Sequence, residues 1–70
     1  EIKIMLNEHF PAPNLIGQFR QFGEFGPAYK IVTAIRPTED NDWLLLVKVF
    51  ETGEEVEYRY SHIKNDPEAH

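Results

Sequence analysis

Residues Trp43-Leu44-Leu45-Leu46-Val47-Lys48-Val49-Phe50-Glu51-Thr52-Gly53-Glu54-Glu55-Val56-Glu57-Tyr58-Arg59-Tyr60 contain two runs rich in β-branched and aromatic side chains, joined by Thr52-Gly53. Period-two alternation closed by a glycine-containing turn is the pattern of an antiparallel hairpin, because successive strand side chains point to opposite faces. With Thr52 and Gly53 as the two loop residues, Val49 is expected opposite Val56, Val47 opposite Tyr58 and Leu45 opposite Tyr60 on one apolar face. Lys48 then lies opposite Glu57, and Phe50 opposite Glu55, on the other. A bulge at Gly53 pairing Phe50 with Glu54 is the competing geometry. Leu44, Leu46 and Phe50 fall on the face away from the apolar stripe and need cover, from the curl of the sheet, from the N-terminal arm or from a second subunit.

The rest of the chain reads as further strands. Ala28 to Arg36 alternates Tyr29, Ile31, Thr33 and Ile35 with Lys30, Val32, Ala34 and Arg36, and Leu15 to Arg20 reads as a shorter strand bent at Gly17. Between them, Phe22-Gly23-Glu24-Phe25-Gly26-Pro27 has too much glycine for regular structure. Pro37 to Asp42 is a polar turn. Ser61-His62-Ile63 reads as one helical turn capped by Ser61, and Asn65-Asp66-Pro67-Glu68 as the end of the ordered chain. The expected fold is all-β: a small twisted antiparallel meander curled into a Src-homology-3-like barrel, with one short helical turn near the C-terminus.

Seventy residues make one domain, near the lower size for a core without staples. The expected division is an N-terminal arm at residues 1–14, a single β domain at 15–66 and a tail at 67–70. Ile2, Ile4 and Leu6 alternate as a strand would, Met5 is an alternative start for the native chain, and Pro11-Ala12-Pro13 forbids helix. Cysteine is absent, which excludes disulfides and thiolate metal sites and fits a reducing, cytoplasmic setting. No apolar run approaches the roughly 20 residues that span a bilayer, nor does the start resemble a cleavable signal.

Twelve acidic residues against seven basic ones give a formal charge of −5, which opposes direct binding of nucleic acid. The acidic residues, Glu39, Asp40 and Asp42 in one group and Glu51, Glu54, Glu55 and Glu57 in another, read first as solvated surface. A sharper alternative is an acidic nucleic-acid mimic, a decoy for restriction or immune nucleases, which requires Glu39, Asp40, Asp42, Glu55 and Glu57 to project from one surface.

No catalytic constellation emerges, so the chain is expected not to be an enzyme. Ser61 and His62 are sequence neighbours that point apart on a helical turn, whereas a serine nucleophile needs its imidazole within hydrogen-bond reach. His62 is expected to face Trp43. His62 and Asp66 have a helical i, i+4 spacing, but Pro67 ends any helix and no third ligand is placed, so neither metal nor cofactor is expected. The Glu51-Thr52-Gly53-Glu54 turn consists of what such turns require and carries no functional signal.

The aromatic loop is the better candidate. Phe19, Phe22, Phe25 and Tyr29 beside flexible glycines are the materials of a peptide-binding groove on a small barrel. Arg20, Phe22, Phe25 and Tyr29 are therefore the candidate contacts of a non-catalytic protein-interaction module that binds a protein partner or itself as a homodimer. If the rings instead fold inward, they plug the end of the barrel.

Several segments together resemble a family of small bacterial proteins without an assigned activity. They are Ile16-Gly17-Gln18-Phe19-Arg20-Gln21-Phe22-Gly23-Glu24-Phe25-Gly26-Pro27-Ala28-Tyr29, Arg36-Pro37, Asp42-Trp43, Glu51-Thr52-Gly53-Glu54 and Asn65-Asp66-Pro67-Glu68-Ala69. The resemblance covers residues 15–69, leaves the arm outside, and implies a bacterial, cytoplasmic protein with no catalytic residues to carry over.

Overall fold

A computed structural model describes residues 10–69. The readings made on Ile2, Ile4, Met5 and Leu6 lie outside them. The chain enters through a 3-10 turn at Pro13–Leu15 and continues into four strands: β1 (Phe19–Gln21), β2 (Ala28–Pro37), β3 (Trp43–Val49) and β4 (Glu55–Arg59). One helical turn, α1 (Tyr60–Ile63), follows. Each strand pairs antiparallel with its sequence neighbour in the order β1-β2-β3-β4, so the sheet is an open meander.

The expected barrel closure is not part of this pairing, for a reason visible at the β1 edge. β1 is three residues long, and its outer side is occupied by the chain after α1. The Gln21 N–H donates to the Pro67 carbonyl at 3.0 Å and the Ala69 N–H donates to the Phe19 carbonyl at 3.1 Å, so the backbones of Arg20 and Glu68 lie paired antiparallel. The segment expected to end the ordered chain therefore covers an edge that would otherwise be exposed.

The hairpin register differs from expectation by two residues. Val47 lies opposite Val56 and Leu45 opposite Tyr58, with Lys48 opposite Glu55, Leu46 opposite Glu57 and Leu44 opposite Arg59. The loop has four residues, Phe50 to Gly53, closed by Val49 N–H to Glu54 carbonyl at 2.8 Å and Gly53 N–H to Val49 carbonyl at 2.7 Å. The cause is Thr52. A two-residue hairpin loop requires positive φ at its first position, which a β-branched residue resists, whereas the longer loop needs it only at Gly53, where φ is +77°. A two-residue shift preserves parity, so Leu45, Val47, Val56 and Tyr58 still share a face. Trp43, Leu45 and Val47 are buried, Leu44 and Leu46 half-buried.

In β2 the expected alternation holds only through Tyr29 and Ile31. Register breaks between Ile31 and Thr33 and between Ala34 and Arg36 place two β2 residues against one of β3, so Ala34 becomes the next buried side chain in place of Thr33. Such bulges bend the strand and add twist. The first strand is also shorter than expected. Leu15 belongs to the 3-10 turn, and Gly17, with φ +94°, turns the chain so that its N–H reaches the Ile31 carbonyl at 2.7 Å.

The core comprises Phe10, Leu15, Tyr29, Ile31, Ala34, Trp43, Leu45, Val47 and Ile63. Phe10 and Ala12 come from the arm: Phe10 meets Trp43 edge-on at 5.3 Å and Tyr60 at 5.1 Å. Trp43 thus packs on Phe10, while His62 is exposed and stands 5.5 Å from the Tyr58 ring.

Candidate protein interface

The structure separates the four loop candidates. Tyr29 is 0% exposed and belongs to the core. Phe22 is half-buried, 4.2 Å from the Tyr29 ring and 5.1 Å from the Tyr58 ring. The Arg20 guanidinium donates to the Ile63 carbonyl at 3.3 Å, the Asp66 carbonyl at 3.0 Å and Gln18 Oε1 at 3.3 Å, fastening one carbonyl at the end of α1 and one beyond it. Phe25 is the exception: it is 94% exposed.

Phe25 sits on a braced loop. Phe22 anchors one side, the Gly26 N–H donates to the Phe22 carbonyl at 2.9 Å, and Gln21 Nε2 donates to the Glu24 carbonyl at 2.8 Å. Gly23 takes φ +65°, an angle other residues adopt at a cost. Gly26 is required by space instead: a Cβ there would lie 2.1 Å from the Phe22 carbonyl oxygen.

Asp66 is the polar centre that inspection of the sequence missed. Its Oδ2 accepts the Tyr29 hydroxyl at 2.7 Å and the Tyr58 hydroxyl at 3.0 Å, and its Oδ1 accepts the Gly23 N–H at 3.2 Å. Burial, then the Asp66 hydrogen bond and charge, push the Tyr58 hydroxyl up to about 12, and the same causes raise Tyr29 further. The signal was present in outline, since inward-facing tyrosines need a polar partner for their hydroxyls. Asp66 is thus engaged by two tyrosines and Gly23, while the His62 ring stands against Tyr58. Among the described residues no three His, Cys, Asp or Glu side chains gather around a metal position.

A second cluster holds the other end of the sheet. Asp42 Oδ1 accepts the Trp43 N–H at 2.8 Å and the Ser61 N–H at 3.1 Å, while Oδ2 accepts the Ser61 hydroxyl at 2.7 Å. Arg59 pairs with Asp40 at 3.0 Å and Asp42 at 3.4 Å. Ser61 therefore does not cap α1 itself: Arg59 is the N-cap residue and Asp42 receives the free N–H from across the fold. Its hydroxyl is committed to Asp42, so it makes no nucleophile pair with His62.

Burial opposes ionisation of Asp42, but the hydrogen bonds from Ser61, Trp43 and Arg59 prevail and hold its carboxyl below the usual range. A depressed carboxyl contributes stability above its unfolded pKa and loses it as pH falls through the lower folded value. Acid unfolding is therefore expected to be less steep below about pH 4 in Asp42→Asn than in the parent. Denaturant midpoints at stepped pH measure this, and parallel curves would contradict it.

The sheet face opposite the core carries Phe19, 45% exposed, and Phe50, 52% exposed, with ring centroids 5.4 Å apart. Ile16, Val32, Lys30, Lys48 and Glu55 line the same shallow groove.

No helix among the described residues is long and apolar enough to cross a membrane. The chain is 38% identical over 53 residues to a Haemophilus influenzae protein described only as "Uncharacterized protein", a match covering 76% of this chain and 84% of the relative. A family model described as "Family of unknown function (DUF5397)" matches residues 7–70. This match begins in the arm and so includes Phe10, a core residue that the resemblance read from the sequence left out. The chain, whose described residues form this open four-stranded meander with Phe10 in its core and residues 67–69 on its β1 edge, belongs to that family.

Proposed function

We propose that the chain is a non-catalytic protein-interaction module whose loop contact is made by Phe25. The observation that carries this reading is a fully exposed phenylalanine on a loop whose base is fixed by Phe22, Gly26 and Asp66. A ring held on a braced loop loses little freedom on binding, and aromatic anchors commonly dominate interfaces. The β2 bulges, which bend the sheet, support a curled, Src-homology-3-like shape as part of the same proposal. Absence of cysteine supports a cytoplasmic setting.

The acidic-mimic alternative has less support. Asp40 and Asp42 are drawn together by Arg59, and Glu55 and Glu57 lie on β4 opposite Lys48 and Leu46, so cations interrupt the acidic residues.

Phe25→Ala is expected to leave thermal stability within about 0.5 kcal/mol of the parent, as for most exposed sites. Partner capture from the native cell, read by mass spectrometry, is expected to fall at least about tenfold. Undiminished capture by the folded variant would refute the loop as the contact.

A further inference from the structure

We infer that the edge of β4 docks an extended peptide segment as an added antiparallel strand, one that alternates basic with apolar side chains. Along a strand, successive residues direct their N–H and carbonyl groups to opposite sides, so each edge can be followed residue by residue. The Val49 N–H bonds the Glu54 carbonyl at 2.8 Å, while the Phe50 N–H turns the other way, to the Ala28 carbonyl at 3.0 Å. Carried along the register, this alternation directs the backbone groups of Val56 and Tyr58 to β3 and those of Glu55 and Glu57 outwards. On the β1 edge the outward groups belong to Phe19 and Gln21, and they meet Ala69 and Pro67. Among the described residues nothing meets those of Glu55 and Glu57 on β4. One edge is thus closed by an extended segment, and the other keeps its backbone groups free for one.

The side chains beside those groups define the occupant. Glu55 and Glu57 lie on the outer face of β4 and are exposed, as is Glu54 before them. Lys48 stands across from Glu55 on the β3 side, but Glu57 stands across from Leu46, so the edge stays acidic. Arg59, the cation of β4, is held by Asp40 and Asp42. On the other face Val56 is 36% exposed although its partner Val47 is 0% exposed, so the apolar layer is open at this edge. A strand laid here sets alternate side chains beside Glu55 and Glu57, and the intervening ones beside Val56 and Tyr58. Lysine or arginine in the first set and β-branched residues in the second complement both faces. With Arg59 engaged, the β4 of a second copy would bring carboxylates against carboxylates, which opposes self-pairing. In strand addition the main-chain bonds supply affinity and the alternate side chains supply specificity.

Titration of the full chain with a short, end-capped peptide of alternating lysine and valine, followed by nuclear magnetic resonance in low salt, tests this. Binding is expected to shift the Glu55 and Glu57 amides and to slow their hydrogen exchange, because their N–H groups gain partners. In an antiparallel addition the residues opposite Glu55 and Glu57 exchange both bonds with them. Methylating the lysine amides of the peptide should therefore abolish binding, with the charges kept. Glu55→Gln with Glu57→Gln is expected to weaken binding about tenfold and to reduce its salt dependence. No binding up to about 1 mM peptide would overturn the inference. Undiminished binding of the methylated peptide, or exchange slowed elsewhere but not at Glu55 and Glu57, would overturn it as well. Pairing of β4 with a second copy or with residues 1–9, seen as slow exchange at Glu55 and Glu57 before peptide is added, would also overturn it. If the double variant unfolds by circular dichroism, the methylated peptide decides alone, since it is applied to the parent. The loop reading stands or falls separately, on capture by Phe25.

Discussion

Replacing Trp43 by alanine is expected to destabilise the domain by about 3–5 kcal/mol, the usual cost of removing a buried large aromatic. Trp43 is 9% exposed, opens β3, and forms an edge-on contact with Phe10, which in turn contacts Tyr60. Its loss would leave a cavity bounded by the arm, the sheet and α1 at once, so the surroundings have little freedom to collapse into it. For a chain of this length the total stability is only about 4–10 kcal/mol, and the variant should be partly unfolded at ambient temperature. Far-ultraviolet circular dichroism under urea titration measures it. A variant melting within a few degrees of the parent would mean that Trp43 is not a core residue.

The second large effect is expected at Asp66. Asp66→Ala removes the acceptor of two tyrosine hydroxyls and leaves that of Tyr29, a fully buried residue, without its partner. Hydrogen bonds to charged groups contribute about 1.5–3 kcal/mol each, and an orphaned buried hydroxyl costs about 1–3 kcal/mol, so a loss of about 3 kcal/mol is expected. Asp66→Asn, which keeps one carbonyl oxygen, should lose less. The pH dependence follows from the direction of the tyrosine shifts. Both hydroxyls hold their proton more tightly in the folded protein, Tyr58 up to about 12. Their contribution is whole below the unfolded tyrosine value of about 10 and disappears as pH rises through the folded value. Urea midpoints should therefore fall between about pH 9 and pH 11.5 in the parent and fall less in Asp66→Asn, where burial alone remains to raise the tyrosines. Equal falls in the two proteins would show that Asp66 does not set the tyrosine protonation.

Much of the hairpin was legible because its signals are local. The alternation Trp43, Leu45, Val47 and Val56, Tyr58 assigns the faces whatever the register, since any even shift conserves them. The register itself depended on the backbone angle at Thr52, a residue whose β-branch disfavours the tighter turn. In β2, the same alternation failed where bulges inserted an extra residue, and nothing in Val32-Thr33-Ala34-Ile35 marks those positions. The aromatic loop was recognised as a cluster, but composition could not sort its rings: Tyr29 and Phe22 face inward because β2 and the Gly26 constriction direct them there, and Phe25 at the tip does not.

The sequence by itself determined an all-β domain without disulfides, the two strands that centre it, and an aromatic loop unlike the rest of the surface. Only the tertiary structure decided that Phe10 completes the core, that the polar tail closes the β1 edge, and that Asp66 joins Tyr29, Tyr58 and Gly23. Asp66 is 37 residues from Tyr29 and 43 from Gly23. Side-chain periodicity reports only which way a residue points relative to its near neighbours. A hydrogen bond across such a separation exists because the sheet brings the partners together, and its formation depends on burial that no short stretch of sequence contains.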